Sequence, residues 1–358
     1  MNVNSKERVM ITMAHEKADR IPMNFRAADQ IVQRLSRSLC TDYFGLLHHY
    51  RVDFREIIPP YIGPKFAKGK DGSEMDMWGV GRKEVVTDRG RDVMISISPL
   101  QDAATPEDVR KHAWPRAEWF DFSRVKQMAL EFKDYSVSTP GIHIEGYHGV
   151  FHLLTYLFGM ENAMTELVTN PETIKAAIEE IMKFFTAYYT RLFEAGGGLI
   201  DFLFYKDDFG GQNNLLIGRP MFREFFYSNI SHLCDLAQNF GGAMILHSCG
   251  SIMKLIPDFI EAGVSVLDPI QVTASDMDIR KLKHEFGGRL TFHGGIDVQR
   301  LMPFGSIGEI RENARTTIEV LGENGGYFFS PSHRFQPDTP LENIDALYQT
   351  ALECGSYR

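Results

Sequence analysis

The chain has 358 residues, 44% of them apolar and 24% charged, with a formal net charge of −9 at neutral pH. That length allows one large core or two ordinary domains, and the composition is that of a soluble globular protein. The acidic balance and the lack of a basic block argue against a nucleic-acid binder, and no apolar run approaches the ~20 residues that span a bilayer.

The opening MNVNSKERVM carries no apolar stretch of a secretion signal. Cys40, Cys234, Cys249 and Cys354 lie far apart and lack disulfide-scaffold spacing, so a reducing cytosol is the expected setting. In chain order, the first candidate strands are RIPMNF (20–25) and FREIIPP (54–60). Residues 70–100 break the pattern and predict a small antiparallel excursion with turns at Gly79–Gly81 and Asp88–Gly90. A helical linker interrupted by Pro115 follows. Then come GIHIEG (141–146), LIDFLFY (199–205), AMILHSC (243–249), VSVLDPI (264–270), RLTFHGG (289–295) and GYFFSPS (326–332). Amphipathic helices separate the later runs, among them NPETIKAAIEEIMKFFTAYYTRLFEAG with Gly196 as its stop. Parallel strands need such crossovers, and eight β-α units close a barrel. The expected fold is therefore one α/β domain over 1–358: a (β/α)8 TIM barrel with an N-terminal helical segment and a β-hairpin insertion at 70–100. A doubly wound open sheet is the alternative, since a strand series alone does not show closure.

Side chains alternate along a strand, so His247 and Cys249 point the same way, and Gly250 turns the chain directly after them. In a barrel, that carboxyl end is where active sites form. Imidazole and thiolate both suit zinc, and a catalytic site usually has three protein ligands. The plainer reading is a buried histidine beside an idle thiol. His333, just past the last strand in SPSHRFQPDTP, would face the same mouth as a third ligand or an acid/base group, or else bond only to nearby backbone. Other strand ends add Glu145, Tyr147 and His148; Lys206, Asp207 and Asp208; Asp268 and Gln271; and His293 and Asp297. Any one carboxylate here is more often a helix cap. Together they suggest a polar mouth above an apolar core. The pairs Gly210–Gly211 and Gly294–Gly295 would let a ligand approach the backbone, or serve as turns.

ILHSCGSI, LTFHGGIDVQRLMPFGS and GGYFFSPSHRFQPDTPLENIDAL, with DDFGGQNNLLIGRPMFREFF upstream, resemble the uroporphyrinogen decarboxylase superfamily. The resemblance implies a (β/α)8 barrel, often a homodimer. True decarboxylases of that superfamily use neither metal nor cofactor. They carry an arginine-rich segment after the first strand and an aspartate at the end of the second for the pyrrole nitrogens. Here Arg26 stands alone in NFRAADQIVQR, and EIIPPYIG has no aspartate. Losing that acceptor would cost roughly 1–3 kcal/mol per unpaired group. Tyr156 and His333 do match the decarboxylase pattern.

The other branch comprises zinc-dependent methyltransferases of corrinoid systems, which are similar in having His-x-Cys at the end of strand five. His247 and Cys249 match that pair, while His333 stands where the branch has a second cysteine. The resemblance implies zinc held by these three residues, a corrinoid protein as partner, and a small methyl donor or acceptor such as a methyl ether. One thiolate instead of two makes such a zinc a stronger Lewis acid. Tyr156, Asp207, Asp208 and Glu145 are then candidate catalytic groups or a fourth ligand. His148, His293, Asp297, Gln271 and Arg26 are candidate substrate contacts. Asp297-x14-Glu312-x20-His333 also resembles a demethylase spacing, but Ile307, Ile310, Ala314 and Ile318 place Glu312 on a solvated helix face. A metal-free lyase using His333 and Tyr156, and a non-catalytic corrinoid- or metal-binding accessory, are the alternatives.

Overall fold

The computed structural model describes residues 3–87, 90–140 and 148–357. Seven parallel strands form one curled sheet: β1 (Phe54–Glu56), β5 (Ser136–Ser138), β6 (Phe202–Lys206), β7 (Ala243–His247), β8 (Val266–Ile270), β9 (Thr291–Ile296) and β10 (Tyr327–Pro331), paired in that order. Between the edge strands lies the extended segment 22–24. Phe329 donates to the Pro22 carbonyl and accepts from Asn24 N–H, both at 2.8 Å, while Asp53 N–H beside β1 donates to the Met23 carbonyl at 2.9 Å. These bonds close the cylinder and exclude the open sheet.

The excursion at 70–100 is a separate antiparallel sheet of β2 (Glu74–Met75), β3 (Gly81–Thr87) and β4 (Gly90–Ile97). Its expected turn at Asp88–Gly90 falls partly outside the described residues. So does the strand expected at 141–146; the described third barrel strand is β5, in YSVSTP just ahead of it. Three N-terminal helices, Ser5–Met13, Asp29–Ser38 and Tyr43–His49, precede β1.

Burial dictates most of this. β6 to β10 are inside on both faces, so they read as near-continuous apolar runs with few alternating polar positions. Phe54, Phe202 and Phe328 meet inside the cylinder with ring centroids 5.1–6.3 Å apart. Each such ring contributes about 1.5–3 kcal/mol by leaving water. They form an aromatic floor beneath the carboxyl ends of the strands. The long helix Pro171–Gly196 packs outside, with proline in its first turn and Gly197, not Gly196, taking the left-handed φ of 58° that ends it.

Candidate metal centre

β7 ends at His247, and the chain turns through Gly250 at φ 89°, a backbone region that disfavours side chains. A Cβ on Gly250 would overlap the Gly210 backbone, and one on Gly210 would meet Cys249 carbonyl oxygen. These glycines therefore bring two loops together. A Cβ on Gly294 would likewise press on the Ile270 backbone and one on Gly295 on the Thr317 side chain.

The turn leaves Cys249 Sγ 3.4 Å from His247 Nε2. The His333 ring comes from the loop after β10, its centroid 5.8 Å from that of His247. One ligand atom from each of the three lies within 4.8 Å of the others. Tetrahedral zinc, with bonds of about 2.0–2.3 Å, sets its ligand atoms roughly 3.3–3.8 Å apart. The His247–Cys249 distance already meets that requirement.

His247 pairs in register with Asp268 on β8. That placement brings Nδ1 to 2.5 Å from the Asp268 carboxylate. The carboxylate only accepts, so Nδ1 carries the proton and Nε2 presents its lone pair to the cluster. Asp268 also accepts from Arg26 Nη1 at 2.6 Å and lies 3.2 Å from His293 Nδ1. Asn24 uses its carbonyl oxygen on Phe25 N–H, so its amide donates to His293 Nε2 at 3.3 Å. Arg26 Nη2 lies 3.2 Å from His293 Nδ1, so donors face both ring nitrogens and the ring is neutral. Burial, then the Arg26 guanidinium, pushes its pKa down to about 3. Burial alone would raise the Asp268 carboxyl; Arg26, His247 and His293 overcome it and hold the group well below the usual carboxylate range.

Burial, followed by the His247 ring, takes His333 down to about 3, so its imidazole is neutral at pH 7. Cys249 is pushed well above the ordinary thiol range by burial and by the charges of Asp208 and Asp268. A bound cation reverses that balance and takes the thiolate.

The neighbours Asp207 and Asp208 part company here. Asp208 accepts from Cys249 N–H at 2.7 Å and lies 3.8 Å from His247 Nε2. Burial opposes its ionisation, but His247 and His152 prevail and keep it below the ordinary carboxylate range. Asp207 points the other way. It is fully buried and accepts from Phe151 and His152 N–H and Tyr205 O–H at 2.8–3.0 Å, capping the helix Val150–Phe158. Burial raises its pKa to about 7. The expected catalytic carboxylate is a helix anchor.

Other expected contacts also have structural partners. Asp297 accepts from the N–H groups of Gln299, Arg300 and Leu301 at the start of a short helix. Gln271 Oε1 accepts from Gly250 N–H at 2.8 Å, bracing the turn that carries Cys249. Arg26 and His293 are buried against Asp268, although both line a cavity beside it. Tyr156 and His148 pack with His152 at 5.1–5.7 Å between ring centroids, and Arg82 from the antiparallel sheet lies over Tyr156. His152 links this group to the centre, its Nε2 3.5 Å from Asp208. Glu145 lies outside the described residues, and Glu312 is exposed on its helix. The sequence reading missed His152, four residues from both His148 and Tyr156, and the organising role of Asp268.

Residues 144–354 match the family model described as Uroporphyrinogen decarboxylase (URO-D). The chain belongs to the uroporphyrinogen decarboxylase family. Among curated relatives of this family member, a methylated-thiol–coenzyme M methyltransferase of Methanosarcina mazei is 27% identical over 207 residues, covering 57% of this chain and 51% of that protein. A uroporphyrinogen decarboxylase of Wigglesworthia glossinidia brevipalpis is 30% identical over 74 residues, 21% of this chain and 20% of that one. The matches thus span about half of the first relative and a fifth of the second. A solved methyltransferase from Methanosarcina mazei shares the fold with a TM-score of 0.67 at 17% identity, covering 98% of this chain and 99% of that one. No helix among the described residues is long and apolar enough to cross a membrane.

Proposed function

We propose that this family member is a zinc-dependent methyltransferase that moves a methyl group between a small methylated substrate and a corrinoid carried by a partner protein. The convergence of His247, Cys249 and His333 carries this reading. The donor set fits zinc: two imidazoles, one thiol within 3.4 Å of the first, and a carboxylate that holds Nδ1 of His247 and leaves Nε2 toward the cluster. Zinc bound there supplies Lewis acidity that lowers the basicity of the heteroatom losing the methyl group.

The rest is done by the chain itself. Asp268, anchored by Arg26, holds the His247 ring in orientation. Asp208 keeps a negative charge at the rim and fixes Cys249 through its N–H. His152 is positioned between Asp208 and Tyr156, where a substrate's polar group would arrive. The carbon–heteroatom bond breaks as the bond to the acceptor forms, with the electron pair staying on the heteroatom. The methyltransferase names of the longer curated relative and of the full-length structural neighbour support this reading over a lyase. The second barrel strand also ends at Glu56 and runs on into Ile57 and Ile58, without the aspartate that the resemblance implies for a porphyrinogen decarboxylase.

Metal analysis of the purified protein tests this first. About one zinc per chain is expected, lost in Cys249→Ala and His247→Ala. Methylated donors offered with free cob(I)alamin then identify the substrate. Metal-free protein that consumes uroporphyrinogen would overturn the proposal in favour of the lyase.

A further inference from the structure

At the amino ends of the strands, away from the metal centre, the helix Ile279–Phe286 packs beside the connection from the helix Ile307–Leu321 into β10. Lys283 joins the two. Its Nζ donates to the carbonyls of Leu321 and Gly325, both at 2.8 Å. A Cβ on Gly287 would press on the Lys283 carbonyl and lie 2.6 Å from its Cδ, so the bare glycine leaves room for the lysine stem. The amine borders a cleft of about 600 Å³. Arg280 and His284 line it from the same helix face, His15 from the loop after the first helix, and Glu319 and Glu323 from the end of the facing helix.

An ammonium carries three protons and no lone pair. Carbonyls hold two of them here, so the third is the one that leaves, and a lone pair takes its place. Burial pushes Lys283 down to about 8, against the attraction of Glu323. Roughly a quarter of the amine is therefore neutral at about pH 7.5. A lysine stripped of water in this way is a nucleophile.

We propose that Lys283 is an acylation site whose acyl donor is an acyl phosphate, its phosphate seated on Arg280 and its carbonyl carbon beside Nζ. The Nζ lone pair forms the N–C bond as the C–O bond to phosphate breaks. The electron pair of that bond leaves on the phosphate, and one amine proton passes to water. The amide nitrogen keeps a single N–H, so only one of the Leu321 and Gly325 carbonyls retains its bond. The positive charge at the end of the helix Ile307–Leu321 disappears as well, where the helix dipole favours a cation. Acylation thus loosens the connection that leads into β10 and, past it, to His333.

Acetyl phosphate is the probe, with occupancy at each lysine read by peptide mass spectrometry on the purified protein. At about pH 7.5 Lys283 is expected to react roughly ten-fold faster than Lys111, whose side chain is 67% exposed. Its rate should level off above about pH 8, while that of Lys111 keeps rising toward the ordinary lysine range. Arg280→Ala, a change at an exposed position, is expected to slow acetyl phosphate about five-fold and leave the uncharged acetic anhydride unaffected, with the melting temperature of wild type. Lys283 reacting no faster than Lys111, or a rate that climbs alongside it past about pH 9, overturns the proposal. So does an Arg280→Ala protein that reacts with acetyl phosphate as wild type does. None of these readings depends on zinc, so the proposal stands or falls apart from the methyltransferase reading.

Discussion

Asp53 and Asp268 are both fully buried carboxylates, set at opposite ends of the barrel. Asp53, just before β1, accepts from Arg8 at 2.7 Å, Arg20 at 2.8 Å and Met23 N–H at 2.8 Å. It ties the N-terminal helix Ser5–Met13 and the closing segment to the sheet. Asp268, in β8, meets Arg26, His247 and His293. Burial and donor number barely distinguish the two sites. The donors do. A guanidinium has no acceptor and ends its chain of bonds, whereas an imidazole held through one nitrogen offers the other to something else. The first aspartate closes a structure and the second presents a ligand.

If that contrast is right, Asp53→Ala gives the largest effect on folding. It leaves two arginines without their buried partner, a loss of about 3–5 kcal/mol expected in urea denaturation. Zinc bound per folded molecule should stay unchanged. A variant that lost zinc and stability together would break the distinction between the two ends.

Asp268→Asn is the complementary experiment. An amide can satisfy Arg26 or His247 but not hold both as a carboxylate does, so the ring is freed to take the wrong tautomer. Zinc affinity is expected to fall roughly 10–100-fold, measured by competition with a chromogenic chelator. Cobalt(II) substitution adds a spectroscopic readout, because the thiolate band of the Cys249 complex should weaken and shift. Equal zinc affinity in Asn and wild type would mean that Asp268 only fills space.

The sequence shows one of these ends far better than the other. His247 and Cys249 are legible as partners because strand alternation and Gly250 fix their direction without any tertiary knowledge. His333 follows once closure is assumed. The same alternation separates Asp207, which shares a face with Tyr205, from Asp208, yet adjacent aspartates invite a common role. Asp268 is harder to read. Its partnership with His247 depends on register between two strands, and its bond to Arg26 spans 242 positions. Asp53 carries no motif at all, since its arginines come from a helix and a loop that the hydrophobic pattern leaves unplaced.

The smallest expected effect concerns protons and sharpens the same contrast. His293 has its pKa lowered to about 3 and His152 to about 4, in each case chiefly by burial. Below about pH 6.5 an unfolded chain protonates both rings, whereas the folded chain resists until pH 3–4. Stability is therefore complete above that range and declines as pH falls through it, by at most about 1.4 kcal/mol per pH unit for each ring. The depressed carboxyl of Asp268 adds its own loss only below about pH 4, where an unfolded aspartate takes up its proton. In zinc-free protein, His293→Gln should flatten the decline between pH 6.5 and 4.5 by up to one proton, read from urea midpoints across pH. A His293→Gln profile parallel to wild type would show that this ring is not the one resisting the proton.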